Sequence, residues 1–145
     1  MTNGDEKAGP DVIARIIRET RVIAVVGLSP RPDRPSHGVA CFLQQSGFRI
    51  IPINPGHAGE MILGERCHAR LSDIPEPATV DMVDIFRRPE AVPEIVDEAL
   101  AVLPGLRTIW MQLGVSHATA AAAARRRGIT VIEDRCPRIE FPAYL

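Results

Sequence analysis

The apolar positions change period several times along the chain, and each change marks an element. Val12, Ile13, Ile16 and Ile17 recur at helical spacing, with Pro10 and Asp11 suited to a first turn and Arg21 at the exit. Val22-Ile23-Ala24-Val25-Val26 then runs apolar and mostly β-branched up to Gly27, as a strand buried on both faces of a parallel sheet does. Leu28–Pro35 carries three prolines, which exclude regular structure, and Val39, Phe42 and Leu43 give an apolar face to a helix ending at Gly47. Phe48–Ile53 reads as a second strand closed by Asn54-Pro55-Gly56. Glu60–Pro77 has little periodicity; a short extra strand is expected around Met61–Leu63, and the stretch has the character of a flap able to close over a ligand.

Regular patterning then resumes. Val80–Phe86 predicts a strand, and Pro89 opens a helix with Val92, Ile95, Val96, Ala99, Leu100 and Leu103 on one face. Leu106–Leu113 predicts a strand, Ser116–Arg127 an alanine-rich helix closed by Gly128, and Ile129–Ile132 a last strand. Right-handed crossovers between parallel strands put helices on both faces of the sheet. The expected fold is therefore α/β: a three-layer, Rossmann-like, doubly wound domain on a mainly parallel sheet of about five strands. It spans residues 11–145 after a flexible tail of residues 1–10.

A chain of 145 residues with 46% hydrophobic and 24% charged positions suits one such domain. With 17 Lys+Arg against 18 Asp+Glu, the net charge is −1, so no global field holds nucleic acid or an anionic membrane, and any bound anion must be held locally. Cys41, Cys67 and Cys136 are an odd number without paired spacing, and Met1–Pro10 lacks a signal-peptide core, so a soluble, cytoplasmic chain is expected. Cys67-His68 are adjacent rather than spaced for zinc, and the histidines show no ligand repeat, so no metal site is expected.

In doubly wound folds the ligand crevice lies at the carboxyl ends of the strands, where strand order reverses. Arginines concentrate there: Arg31 and Arg34 after the first strand, Arg87 and Arg88 after the third. Gly27 permits close backbone approach, and Ser36-His37-Gly38 at a helix start is expected to offer free N–H groups to an anion, although the glycine also reads as a plain turn and the serine as a plain cap. The Gly-x-Gly-x-x-Gly motif and a terminal acidic residue on the second strand, which a nicotinamide dinucleotide site needs, are both missing; so is a Gly-x-x-x-x-Gly-Lys-Ser/Thr loop. The expected ligand is another phosphate-bearing cofactor.

The run Val25-Val26-Gly27-Leu28-Ser29-Pro30-Arg31-Pro32-Asp33-Arg34-Pro35-Ser36-His37-Gly38-Val39-Ala40, with Ile51-Pro52-Ile53-Asn54-Pro55, resembles the small stand-alone CoA-binding domain proteins known as YccU-like. Ile62-Leu63-Gly64-Glu65, Asp84-Ile85-Phe86-Arg87-Arg88-Pro89-Glu90, Trp110-Met111-Gln112-Leu113-Gly114 and Asp134-Arg135-Cys136-Pro137 extend the resemblance over about residues 12–140. Such proteins are similar to the CoA-binding domain of the succinyl-CoA synthetase α subunit, whose phosphorylated histidine lies in a second domain that this chain has no room for. The resemblance implies CoA or an acyl-CoA as ligand. It places Gly27, Leu28, Ser29 and Pro30 at the phosphates or adenosine, Ser36 and His37 at the diphosphate, and Asn54 and Pro55 beside the adenosine. Phe86, Arg87 and Arg88 would lie beside the nucleotide, Gln112 and Gly114 nearer the pantetheine arm, and Arg31 and Arg34 within reach of phosphate. Related sequences often carry a basic residue after the Asn-Pro pair, where this chain has Gly56-His57.

Catalytic groups do not emerge. Asp81 and Asp84, three apart on one strand, point to opposite faces, and Asp84 is expected to be hydrogen-bonded within the structure. Trp110 and Met111 read as core, Cys41 as core, and Arg125-Arg126-Arg127 as a basic run complementing a helix dipole. The leading expectation is a CoA-binding protein without catalysis of its own, able to work with a protein partner or as a homodimer, and without nucleic-acid or membrane partners. The alternatives are acyl or thiol transfer using Cys136, whose thiol the neighbouring Arg135 could activate, and a module reporting CoA status to a larger enzyme.

Overall fold

The computed structural model describes residues 8–76 and 78–145. The elements are α1 (Pro10–Glu19), β1 (Val22–Val26), α2 (Pro35–Gln45), β2 (Arg49–Ile53), β3 (Met61–Ile62), β4 (Glu65–Arg66), β5 (Met82–Ile85), α3 (Val92–Val102), β6 (Thr108–Met111), α4 (Ala118–Arg126), β7 (Thr130–Ile132) and α5 (Pro137–Glu140). Five strands form one parallel sheet in the order β2-β1-β5-β6-β7, and β3 and β4 form a separate antiparallel hairpin. The strand order reverses between β1 and β5, which makes that junction the switch point of a doubly wound α/β fold.

Strict alternation along each strand divides the core. Ala24, Val26, Ile51, Ile53, Val83, Ile85, Ile109 and Met111 pack against Val92, Val96 and Ala99 of α3 and the small residues Ala120, Ala121 and Ala124 of α4. The intervening positions Ile23, Val25, Ile50, Met82 and Trp110 meet Ile13 and Ile16 of α1, Val39, Ala40 and Leu43 of α2, and Phe141 after α5. Trp110 is fully buried, stacks edge-on against Phe141 at 5.5 Å, and donates its indole N–H to the Arg135 carbonyl at 2.7 Å. Arg135 in turn donates to the Ala8 carbonyl at 2.8 Å and to Glu140 at 2.6 Å, and Gly9 accepts from Val12 and Ile13. Residues 8–10, assigned from sequence to a loose tail, thus belong to the body; residues 1–7 lie outside the described residues.

Three local differences from the sequence reading have physical causes. The strand expected at Met61–Leu63 has a second arm, β4, because Leu63 and Gly64 both take positive φ (52° and 82°) and close a two-residue turn. The hairpin is fastened by the Gln44 amide to the Leu63 carbonyl at 2.7 Å and by a two-bond Arg49–Glu65 ion pair at 2.9 and 3.1 Å, with Ile62 and Cys67 buried, so this part of the expected flap is joined to the domain. Helix α4 starts at Ala118 rather than Ser116, since the His117 ring accepts the Ala120 N–H and caps it. Helix α5, unpredicted, begins with Pro137 directly after buried Cys136. Cys41 is half-buried rather than core. Among the described residues no helix is long and apolar enough to cross a membrane.

Two positions at the switch strands carry the sharpest constraints. Gly27, at φ 90°, follows β1 and lies so close to the chain after β5 that an added Cβ would come within 2.3 Å of the Phe86 carbonyl oxygen and 3.1 Å of Arg87 Cδ. Asp84 pairs in register with Val25 on one side and Trp110 on the other, is fully buried, and has no hydrogen-bond partner for either carboxyl oxygen among the described residues. The hydrogen-bonded role expected for it is absent. Burial pushes its carboxyl well above the usual carboxylate range and so favours the neutral form in the folded protein.

Gly27→Ala is expected to lose about 2–4 kcal/mol, since a side chain adds both a disfavoured φ and a backbone overlap; a urea midpoint equal to wild type would refute this. For Asp84 the sign follows from proton counting: the folded state keeps a proton that the unfolded chain releases above about pH 4. Stability should therefore fall as pH rises from about 4 toward the raised folded value, by up to about 1.4 kcal/mol per pH unit from this group. Asp84→Asn cannot ionise and should gain on wild type between pH 4 and pH 7; a difference independent of pH would show that the carboxyl is ionised in the fold.

Candidate functional site

The carboxyl edge of the sheet divides at Gly27 into a cavity on the α3 face and a polar mouth on the α2 face. The cavity, of about 420 Å³, falls within the range of small-ligand sites. Its apolar walls are Val26, Ile53, Pro55 and Ile95, and its charged residues are Arg70, Arg87, Glu94 and Glu98. Arg87 is half-buried, its stem lying over Gly27. Glu98 accepts the backbone N–H groups of Leu71 at 3.3 Å and Ser72 at 3.1 Å, which fixes the 3-10 turn Leu71–Asp73 and, with it, Arg70 at the turn's start.

The α2 mouth is assembled from the loop after β1. Buried Ser36 accepts the Ser29 N–H on its hydroxyl at 3.0 Å, and the Ser29 hydroxyl accepts the Arg31 N–H at 3.1 Å. The Asn54 amide donates to the Leu28 carbonyl at 3.1 Å and accepts from Gly56 at 3.0 Å, so it clamps the end of β2 to the loop after β1. The N–H groups expected to be free at the start of α2 are fewer than the sequence implies. Pro35 has none, and His37 and Gly38 both donate to the Arg34 carbonyl at 3.1 and 3.2 Å, which leaves Ser36. The turn tightens there because Arg34 caps with its carbonyl and not with a side chain.

Of the residues singled out from sequence, the cavity brings together Pro55 and Arg87, while Gly27, Leu28, Ser29, Pro30, Ser36 and His37 gather at the loop and the α2 mouth. Phe86 and Gln112 lie on the α2 side of the sheet by strand alternation, with Gln112 buried and its Oε1 without a hydrogen-bond partner. Gly114, at φ 81°, donates to Asp134 at 2.7 Å and sits at the rim. Arg31 is exposed and paired with exposed Asp33 at 3.2 Å, an arrangement worth little. Arg34 and Arg88 are exposed, and Arg88 does not line the cavity.

The sequence reading missed Arg70, Glu94 and Glu98. Arg70 lies in the aperiodic stretch, and only the fold carries it to the third wall of the cavity. The groups proposed for transfer chemistry are poorly arranged for it. Cys136 is buried at the start of α5, and Arg135, expected to activate it, is turned to Ala8 and Glu140. Burial pushes the Cys67 thiol up, and it points to the Asn54 carbonyl at 3.6 Å. Among the described residues no three His, Cys, Asp or Glu side chains are grouped to hold a metal ion.

Comparison with known proteins places this geometry. Residues 21–142 match the family described as "CoA binding domain". The chain is 37% identical over 127 residues to YneT of Bacillus subtilis (strain 168), covering 88% of this chain and 90% of that protein. The structure of cell-free ID.343 from Thermus thermophilus superposes with a TM-score of 0.86 at 35% identity, covering 95% of this chain and 100% of that one. The dinucleotide-forming acetyl-coenzyme A synthetase 1 of Ca. Korarchaeum cryptofilum shares the fold, with a TM-score of 0.60 at 24% identity over 76% of this chain and 25% of the synthetase chain. The resemblance carried by the strand-end blocks and the match over most of the chain agree: this protein belongs to the CoA binding domain family.

Proposed function

We propose that the protein binds CoA or an acyl-CoA across the carboxyl edge of its sheet and performs no catalysis of its own. The observation that carries this reading is the cavity at the switch point, whose apolar walls and unpaired Arg87 suit a planar base joined to phosphate. CoA is long, and on this reading it lies along the edge from one face to the other. The nucleoside end fits the cavity between Pro55 and Ile95, and the diphosphate would cross above Gly27 toward the Ser36 N–H and the positive end of α2. The pantetheine arm, which carries amide N–H groups, would run toward Gln112, whose buried Oε1 lacks a donor within the described chain. Bound CoA would supply a thiol or thioester; the chain's own residues would bind and orient it. Burial of Cys136 and the engagement of Arg135 favour this over transfer through that thiol.

Isothermal titration with CoA, NAD and ATP in parallel, at low and high salt, tests the reading. CoA should bind selectively and more weakly at high salt, because phosphate contacts are charge-assisted. Arg87→Ala should weaken CoA about tenfold, the worth of one charge-assisted hydrogen bond, and Arg88→Ala much less, since Arg88 stands outside the cavity. Binding of NAD or ATP without CoA, or no binding of any of the three by folded protein, would overturn it.

A further inference from the structure

We infer that Arg70 and Arg87 together form a phosphomonoester subsite on the α3 face, separate from the α2 mouth, through which the protein distinguishes CoA from its analogue without the 3′-phosphate. The inference rests on the CoA reading above and adds to it which end of the ligand is read, and by which residue. Both arginines line the same cavity, and neither guanidinium has an acidic partner or a hydrogen bond among the described residues. Two guanidinium groups that line one cavity of about 420 Å³ without a partner among the described residues suit a phosphomonoester bound there.

Two carboxylates, Glu94 and Glu98, share this cavity, and neither forms an ion pair with Arg70 or Arg87 among the described residues. Glu98 is occupied by two backbone N–H groups of the turn that Arg70 begins, so it acts as the brace that positions Arg70. Glu94 is exposed on the first turn of α3 and lines the same cavity. The His57 ring, after Asn54-Pro55-Gly56, is bonded to Glu60 at 2.9 Å and does not line the cavity. The positive charge at this end of the ligand is thus supplied from the next connection, by Arg70.

A ligand with a diphosphate alone would satisfy the α2 mouth and leave the two arginines without a phosphate partner. One with an additional phosphomonoester on its ribose satisfies both places. The test is titration calorimetry of the full chain with CoA and with dephospho-CoA. Wild type should favour CoA by about tenfold or more. Arg70→Gln should bring the two affinities within about twofold, with the larger loss falling on CoA, and Arg70→Lys should restore part of the preference. Arg70 is exposed, so both variants should keep the wild-type unfolding midpoint. If both ligands bind and Arg70→Gln leaves their ratio as in wild type, the subsite is wrong and the CoA reading stands. If neither ligand binds folded wild type, both fail together.

Discussion

Parallel strands that diverge from a switch point need their connecting chains to part at one place, and in this protein that place is the contact between Gly27 and the Phe86 carbonyl. The absence of a side chain lets the loop after β1 and the loop after β5 leave the sheet almost in contact before turning to opposite faces. One goes to α2 and the other to α3. Because the loops touch at their roots, the α2 mouth and the α3-face cavity stand on either side of a single residue. Arg87 inherits its place from the same contact, since its stem lies over the glycine.

The layered architecture was readable because alternation along the strands is strict and every helix apolar face is continuous. What escaped were features whose signals are not periodic. The Leu63-Gly64 turn has a leucine at positive φ, where Asn or Asp would have announced it. His117 caps α4 with a ring nitrogen, a role usually read from Ser, Thr, Asn or Asp. Ser36-His37-Gly38 read as an open anion nest, but the proline at the first helical position and the Arg34 carbonyl close most of it. Arg70 could not be assigned from a segment without pattern, because the turn it begins is held by Glu98, 27 and 26 residues beyond the Leu71 and Ser72 N–H groups that it accepts. Strand-end residues are found by locating strands; residues brought by an aperiodic connection are found only once it is folded.

Two buried polar side chains at the sheet, Asp84 and Gln112, keep oxygens without a hydrogen-bond partner among the described residues. Asp84 lies between Val25 and Trp110, and Gln112 follows two residues beyond Trp110 on the same face. An apolar residue at either place would pack without penalty, so each marks a position where the core gives up stability. They differ in depth: Asp84 is within the strand, where burial favours its neutral form, whereas Gln112 has just left the strand and stands at the carboxyl edge of the sheet.

Trp110 is the chain's single tryptophan, and it is held rigidly by Phe141 and the Arg135 carbonyl, beside Asp84 and two residues before Gln112. Nearly all the near-ultraviolet emission of the folded protein therefore originates from one ring at the base of the carboxyl edge of the sheet. The fold has built its own spectroscopic reporter, in which a change in polarity above β6 or in the seating of the C-terminal segment is read without any label.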